Sequence, residues 1–198
     1  MMAEKTILDA CCGGRMFWFD KQDERVMFQD KRNETRIVDV GTPATKGRAP
    51  KVTRPDVLTS FTDMPYPDET FWHVVFDPPH LQKVGKTGVL AASYGVLSDN
   101  WRSDIAKGFS ECFRVLKPNG TLIFKWCELE ISIKEVLCLT PVPPLYGHRS
   151  GKKALTHWVA FTKPNNACSG FGGHAANCAL VLSLIADCNC HMQSPPNR

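Results

Sequence analysis

Asp77, Pro78, Pro79 and His80 follow directly on the apolar run Val74-Val75-Phe76. The run is β-branched and aromatic, as buried strands are. The two prolines end it, because proline lacks the N–H that a sheet ladder needs and fixes φ. An acid is thereby held on a stiff backbone at the carboxyl end of a strand, where open α/β sheets bind their ligands. A carboxylate there accepts hydrogen bonds from a bound molecule, and the imidazole beside it adds an aromatic surface.

Two other groups belong at the same end of such a sheet. Thr6-Ile7-Leu8-Asp9-Ala10 reads as a first strand running into the small-residue turn Cys11-Cys12-Gly13-Gly14-Arg15, with a helix expected to open over Met16–Lys21. Strand, glycine turn and helix begin a nucleotide-binding unit: glycines let the backbone approach a ligand, and the helix N-terminus offers N–H groups. A plain strand-to-helix turn fits these residues equally well. Arg25 to Asp30 reads as a second strand ending in an acid. An acid there takes a ribose hydroxyl pair, the alternative being a solvated turn aspartate.

The elements that must position these groups alternate. Lys31 to Arg54 carries Lys31, Arg32, Arg36, Lys46, Arg48, Lys51 and Arg54 among glycines and prolines. It reads as a mobile basic loop with a short strand at Ile37–Val40, either solvated or in contact with phosphates. Asp56–Leu58 is a candidate third strand, and Trp72–Asp77 the central one. Gln82–Asn100 reads as a loop over the site, with Asp99 or Asn100 capping a helix over Trp101–Val115. Leu116-Lys117-Pro118-Asn119-Gly120 stops that helix before a strand at Thr121–Trp126. A helix over Ile131–Leu139, a basic turn over Gly147–Lys153 and a last strand over Leu155–Thr162 complete the sheet. The order predicts an α/β fold, mainly parallel, with an antiparallel C-terminal edge.

A chain of 198 residues suits one domain with an appendage. Residues 1–163 read as the domain, and 164–198 as an accessory helix or poorly ordered tail. The net charge of +4 permits a nucleic-acid partner without demanding one. Met1–Thr6 does not resemble a signal peptide, and no apolar run approaches the ~20 residues that span a bilayer. The nine cysteines are an odd count. A reducing, cytoplasmic setting with free thiols is expected. Cys168, His174, Cys178, Cys188, Cys190 and His191 lack the paired spacing of a zinc site, so no metal is expected.

With these elements in place the chain resembles the class I S-adenosylmethionine-dependent methyltransferases, whose fold is Rossmann-like, over Lys5 to Lys163. Asp77-Pro78-Pro79-His80 resembles the Asp-Pro-Pro-aromatic motif of enzymes that methylate exocyclic amines of nucleic-acid bases, and the chain is also similar to small phage and prophage methyltransferases. Leu116–Gly120 matches a Leu-Lys-Pro-Gly-Gly pattern frequent in that fold. The resemblance implies S-adenosylmethionine as cofactor, bound by Asp9, Ala10, Cys11, Cys12, Gly13, Gly14 and Asp30, with Ser60, Phe61 and Asp63 as candidates near the adenine. Arg15 stands where the first motif has its last glycine, and His80 where the second has Tyr, Phe or Trp.

The implied reaction is methylation of a base amine in DNA or RNA, adenine N6 first. Such an amine is a poor nucleophile because its lone pair is delocalised into the ring. Asp77 and the Pro78 carbonyl would each accept one N–H and favour a pyramidal nitrogen, Pro79 would stiffen them, and His80 would stack on the base. A structural acid and a turn histidine are the competing roles. Attack at cytosine C5 would need a thiolate nucleophile, and the motif holds no cysteine. Arg149, Lys152 and Lys153 are candidates for phosphate contact. A small-molecule methyltransferase, or a weakly catalytic cofactor-binding or interaction module, is the alternative. A protein partner or second copy stays open.

Overall fold

The computed structural model describes residues 4–41, 47–83, 88–150 and 155–165. Its strands are β1 (Ile7–Asp9), β2 (Val26–Asp30), β3 (Glu34–Val40), β4 (Gly47–Thr53), β5 (Val57–Leu58), β6 (Phe71–Phe76), β7 (Leu116–Cys127), β8 (Tyr146–Ser150) and β9 (Thr156–Thr162). Its helices are α1 (Val89–Tyr94), α2 (Trp101–Val115) and α3 (Ile133–Leu137). Seven strands form one sheet in the order β5-β2-β1-β6-β7-β9-β8. β5, β2, β1, β6 and β7 run parallel, and β9 turns antiparallel between β7 and β8. This is the Rossmann-like, mainly parallel α/β sheet with an antiparallel C-terminal edge that the sequence predicts. From β1 the chain steps outward to β2 and β5, then crosses to β6 and β7 on the other side. The order reverses between β1 and β6, and a crevice opens at their carboxyl ends.

Period-two alternation sorts the side chains onto two faces. On one face Val74, Phe76, Leu122, Phe124 and Trp126 are buried. α2 lies on them through Ile105, Phe109, Cys112 and Phe113. Phe109 meets Phe76 at 5.4 Å and Phe124 at 4.9 Å between ring centroids. Each such ring contributes about 1.5–3 kcal/mol by leaving water. α2 approaches this closely because Gly108 has no side chain. A Cβ there would stand 2.7 Å from both Phe61 and Phe76.

The other face is covered differently. No helix follows the glycine turn: residues 15–25 form turns, against the expected helix over Met16–Lys21. Phe17 and Trp18 of that segment each reach a separate partner on the sheet, while Phe19 is fully exposed. Trp18 packs edge-on to Phe28 at 5.3 Å, and Phe17 edge-on to Trp158 at 5.9 Å. Arg15 lays its guanidinium over the Phe28 ring at 3.7 Å and donates to the carbonyls of Lys21 and Arg54 and to Asp56. Arg15 has φ 52°, the left-handed conformation that a glycine at this place would adopt.

Lys31–Arg54 is likewise ordered over its described residues. The expected strand at Ile37–Val40 lies within β3, which pairs antiparallel with β4 in register from Glu34↔Thr53 to Val40↔Gly47. The sequence hid β4 behind Pro50, which a two-stranded edge tolerates. The expected loop Gln82–Asn100 contains α1, and α3 is shorter than the expected Ile131–Leu139. Asn100 occupies the N-cap position of α2 without capping it through its side chain; Ser98 donates to Asp104 in the first turn. Leu116–Gly120 ends α2 and also begins β7.

Gly108→Ala is expected to destabilise the fold by about 1–3 kcal/mol despite alanine's higher helix propensity, because the methyl overpacks two buried rings. A denaturant midpoint at or above that of the wild type would show that α2 can lift away without cost.

Candidate active site

Parallel register builds the centre of the site. Phe76 pairs with Phe124 across β6 and β7, so the next residues, Asp77 just beyond β6 and Lys125 within β7, stand side by side. Both lie on the face opposite α2. Lys125 Nζ donates to Asp77 Oδ2 at 2.6 Å. Their side chains are 20% and 11% exposed, so the pair is poorly hydrated. Burial pushes the Asp77 carboxyl up, and the Lys125 ammonium opposes this. Asp77 Oδ1 accepts no hydrogen bond from the described residues. Three rings stand around the ammonium, with centroids 5.7 Å (Phe17), 6.0 Å (Tyr94) and 5.7 Å (Trp158) from Nζ.

This centre opens into a cavity of about 210 Å³. The opposite wall is the turn after β1. Ala10, Cys11, Cys12, Gly13 and Gly14 line it, together with Asp30 from the end of β2 and Phe61. Gly13 has φ 48°, and a Cβ there would stand 3.4 Å from the Ser93 carbonyl. Asp30 is buried and fully engaged. Oδ1 accepts from Arg32 N (2.9 Å) and Nε (3.1 Å), and Oδ2 from Gly13 N (2.9 Å) and Arg32 Nη2 (3.3 Å). Arg32 Nη1 also donates to the Ala92 carbonyl of α1 at 3.3 Å. Arg32 therefore ties the end of β2 to α1 across this side of the cavity. The glycine turn, buried acid and apolar Phe61 fit a nucleoside-bearing cofactor, provided that the side-chain contact of Arg32 to Asp30 opens for the ribose.

Not all the expected residues meet here. Asp9 is buried behind the turn, accepting from Trp18 Nε1 at 2.7 Å and Cys11 N at 3.2 Å. Burial pushes its carboxyl up to about 7. Asp9 positions the turn rather than lining the cavity. Of Ser60, Phe61 and Asp63, Phe61 lines it; Ser60 shares a hydrogen bond with Thr62, and Asp63 is exposed. The Cys12 thiol is pushed up to about 12 by burial, and Cys11 is also raised. Neither supplies a thiolate at neutral pH.

His80 departs most from expectation. It is buried, its ring 5.4 Å from Tyr94 and 6.2 Å from Trp126, and it does not line the cavity. Burial lowers its pKa to about 4, so it is neutral at pH 7. Pro78 and Pro79 carry the chain past the cavity mouth and turn the imidazole back onto the core. His80 instead supports Tyr94, which does line the cavity. Arg149 lies on β8 at the site end of the sheet, 4.0 Å from Glu128. Lys152 and Lys153 lie outside the described residues, as does most of the tail at 164–198 with its Cys and His residues. Among the described residues no group of His, Cys, Asp or Glu could hold a metal, and no helix is long and apolar enough to cross a membrane.

Lys125, Tyr94, Phe17 and Arg32 were not singled out as site residues in the sequence. Lys125 carried a signal: a cation at an inner position of the apolar strand Leu122-Ile123-Phe124-Lys125-Trp126 needs a partner. The other three depend on how loops fold back, which local sequence does not encode.

No protein-family model matches the sequence, and no curated protein matches it. Solved structures with a similar chain layout include a methylase from Haemophilus influenzae (13% identity, TM-score 0.45, covering 83% of this chain and 89% of that one). N-methyltransferase NodS from Bradyrhizobium japonicum is another (11% identity, TM-score 0.48, 80% and 85% covered). A third is an S-adenosylmethionine-dependent methyltransferase from Methanosarcina mazei (11% identity, TM-score 0.46, 82% and 95% covered). These are similarities of layout at low identity, and no residue role or substrate passes from them to this chain.

Asp9 gives a pH dependence of known sign. The folded state keeps its proton up to about pH 7, whereas the unfolded carboxyl loses it near 3.8. Stability therefore falls as pH rises through that window and levels off above it. Asp9→Asn cannot titrate, so urea midpoints at pH 5 and pH 8 are expected to show the wild type losing stability relative to the variant. A difference that does not change with pH would mean that Asp9 is ionised in the fold.

Proposed function

We propose that this chain is an S-adenosylmethionine-dependent N-methyltransferase acting on an exocyclic base amine of DNA or RNA, adenine N6 first. One observation carries the reading: Asp77 and Pro79 at the end of β6 and the glycine turn after β1 line one cavity at the point where the strand order reverses, although Pro78 between them is buried and does not line it. Acceptor-holding and cofactor-holding groups are thus within reach of one another. S-adenosylmethionine, when bound, supplies an electrophilic methyl group on its sulfonium. The turn Cys12-Gly13-Gly14, Asp30 and Phe61 are the residues that would hold it.

The chain's own part is positioning. Asp77 Oδ1, with Lys125 occupying Oδ2, accepts one N–H of the amine, and the Pro78 carbonyl the other. Fixing both N–H bonds turns the lone pair out of the ring plane and toward the methyl donor. Methyl transfer would break the sulfonium S–CH3 bond as the N–C bond forms, leaving a neutral thioether and a cationic, acidic nitrogen whose proton Asp77 is placed to take. Phe17 and Tyr94 supply apolar surface beside the acceptor. Tyr94 takes the place expected of His80.

Nucleic acid as the carrier of that base is supported by charge at the rim. The β3–β4 hairpin packs by the glycine turn, where Val52 O lies 3.5 Å from the Cβ position of Gly14. The hairpin and its exit hold Arg36, Arg48, Lys51 and Arg54 against Glu34 and Asp39. Arg149 adds to the rim from the far edge. Such groups read phosphates without sequence preference.

Calorimetric titration with S-adenosylmethionine is expected to show binding, and treated DNA and RNA digested to nucleosides to show a methylated amine, N6-methyladenosine first. Asp77→Ala is expected to lower kcat/KM by about 100-fold or more while cofactor binding persists. No binding of the cofactor, or full activity in Asp77→Ala, would sink the reading.

Arg32 and Asp30 provide an independent check. Asp30→Ala is expected to weaken cofactor binding by about 10-fold or more, through loss of the acceptor for the ribose hydroxyls. Arg32→Ala leaves the Asp30 oxygens free of the guanidinium and is expected to tighten binding. Weaker binding in Arg32→Ala would show that Arg32 contacts the ligand rather than competing with it.

A further inference from the structure

We propose that Lys125 reads the acceptor: its ammonium donates to an unprotonated ring nitrogen next to the amine that Asp77 holds. The site would then admit an amidine edge (–N=C–NH₂), as adenine and cytosine present, and reject an edge that places an N–H beside the amine. This deepens the base-amine reading and rests on it.

Lys125 and Asp77 both line the cavity, and they come from adjacent strands in fixed register. The ammonium has three N–H donors. One goes to Asp77 Oδ2, and the ammonium makes no other hydrogen bond to a described residue. The three rings around Nζ stand 5.7–6.0 Å away, near the limit of attraction between a cation and an aromatic face. They flank the ammonium without satisfying its protons. A purely structural ion pair would leave those donors idle at a half-dry position, which is costly. A bound acceptor atom removes that cost.

The pair also has the right polarity. Asp77 accepts and Lys125 donates, side by side, on one cavity wall. The amine of adenine or cytosine is a donor beside a ring-nitrogen acceptor, on the edge used in base pairing. The two patterns are complementary. On the same edge of guanine the amine lies next to a ring N–H, which would meet the ammonium donor to donor. Sites built on paired hydrogen bonds reject analogues that leave one partner unmatched far better than apolar pockets reject a change of size.

The test uses the intact protein and three single-stranded oligonucleotides that differ at one base: adenine, 1-deazaadenine and 7-deazaadenine. The first analogue replaces the ring nitrogen beside the amine by C–H; the second replaces a nitrogen of the other ring. With wild type, kcat/KM is expected to fall roughly 10- to 100-fold for 1-deazaadenine and to change little for 7-deazaadenine. Lys125→Met is expected to be slower on adenine and to treat adenine and 1-deazaadenine alike, which separates loss of the contact from any change in the amine's own reactivity. Should the methylated product be a cytosine, 3-deazacytosine replaces 1-deazaadenine.

Equal use of adenine and 1-deazaadenine by the wild type, or a full 1-deaza penalty retained in Lys125→Met, would overturn the proposal while leaving the methyltransferase reading intact. If Lys125→Met fails to fold, Lys125→Ala takes its place in the same comparison, and a wild-type ratio near one overturns the proposal in either case. Methylation of no base at all would remove the base-amine reading, and this proposal with it.

Discussion

The ion pair between Asp77 and Lys125 is the constraint around which the rest of the site is arranged. Parallel pairing of β6 with β7 sets the two residues next to one another, one step beyond the buried Phe76–Phe124 pair. Neither charge is well hydrated there. Each is tolerable because the other is present, and losing one partner of such a pair costs more than the pair itself contributes. Pro78 and Pro79 keep the backbone from retreating. Phe17, Tyr94 and Trp158 arrive from three separate segments and flank the ammonium. What the sheet delivers is one oriented acceptor next to one oriented donor on an otherwise apolar wall.

That wall depends on how the far face of the sheet is covered. On the near face α2 does what a helix does, burying phenylalanines against phenylalanines, with Gly108 allowing close approach. On the far face a short loop takes the place of a helix and uses chemistry more than area. Arg15 covers Phe28 and binds two carbonyls and Asp56, Trp18 covers Phe28 and donates to Asp9, and Phe17 reaches across to Trp158. The same loop begins with the glycine turn, so the groups that hold the turn in place also position the cavity. Asp9 works from beneath, bonded to the turn's backbone and to Trp18. Shaping the cavity and keeping the far face covered are therefore one structural problem here.

The parts legible in the sequence were those governed by local rules. The apolar run ended by two prolines placed Asp77, and glycine next to a strand end placed the turn. Helical spacing of Ile105, Phe109, Cys112 and Phe113 placed α2 at its observed bounds. What local rules cannot supply is the direction in which a side chain leaves a loop. His80 follows two prolines and points into the core, whereas Tyr94, fourteen residues later, takes the cavity wall. Met16–Lys21 looked helical because it is aromatic and follows a turn, yet Trp18 packs on Phe28 of β2 and Phe17 on Trp158 of β9, on opposite sides of β1. β4 was hidden because Pro50 disqualifies an inner strand but not a strand of a two-stranded hairpin.

Arg32 shows why occupancy of a site matters as much as its residues. Asp30 has about four lone-pair positions, and Gly13 N, Arg32 N and the Arg32 guanidinium fill them. An acid in this state is not an open receptor for a diol; it is one side of an exchange. Ribose hydroxyls can replace the guanidinium at Asp30 only if the guanidinium finds another acceptor, and it already donates to the Ala92 carbonyl at the end of α1. α1 also carries Tyr94, and Tyr94 faces Lys125. Arg32 thus contacts both the acid at the end of β2 and the helix that carries Tyr94, so the two sides of the cavity share one side chain.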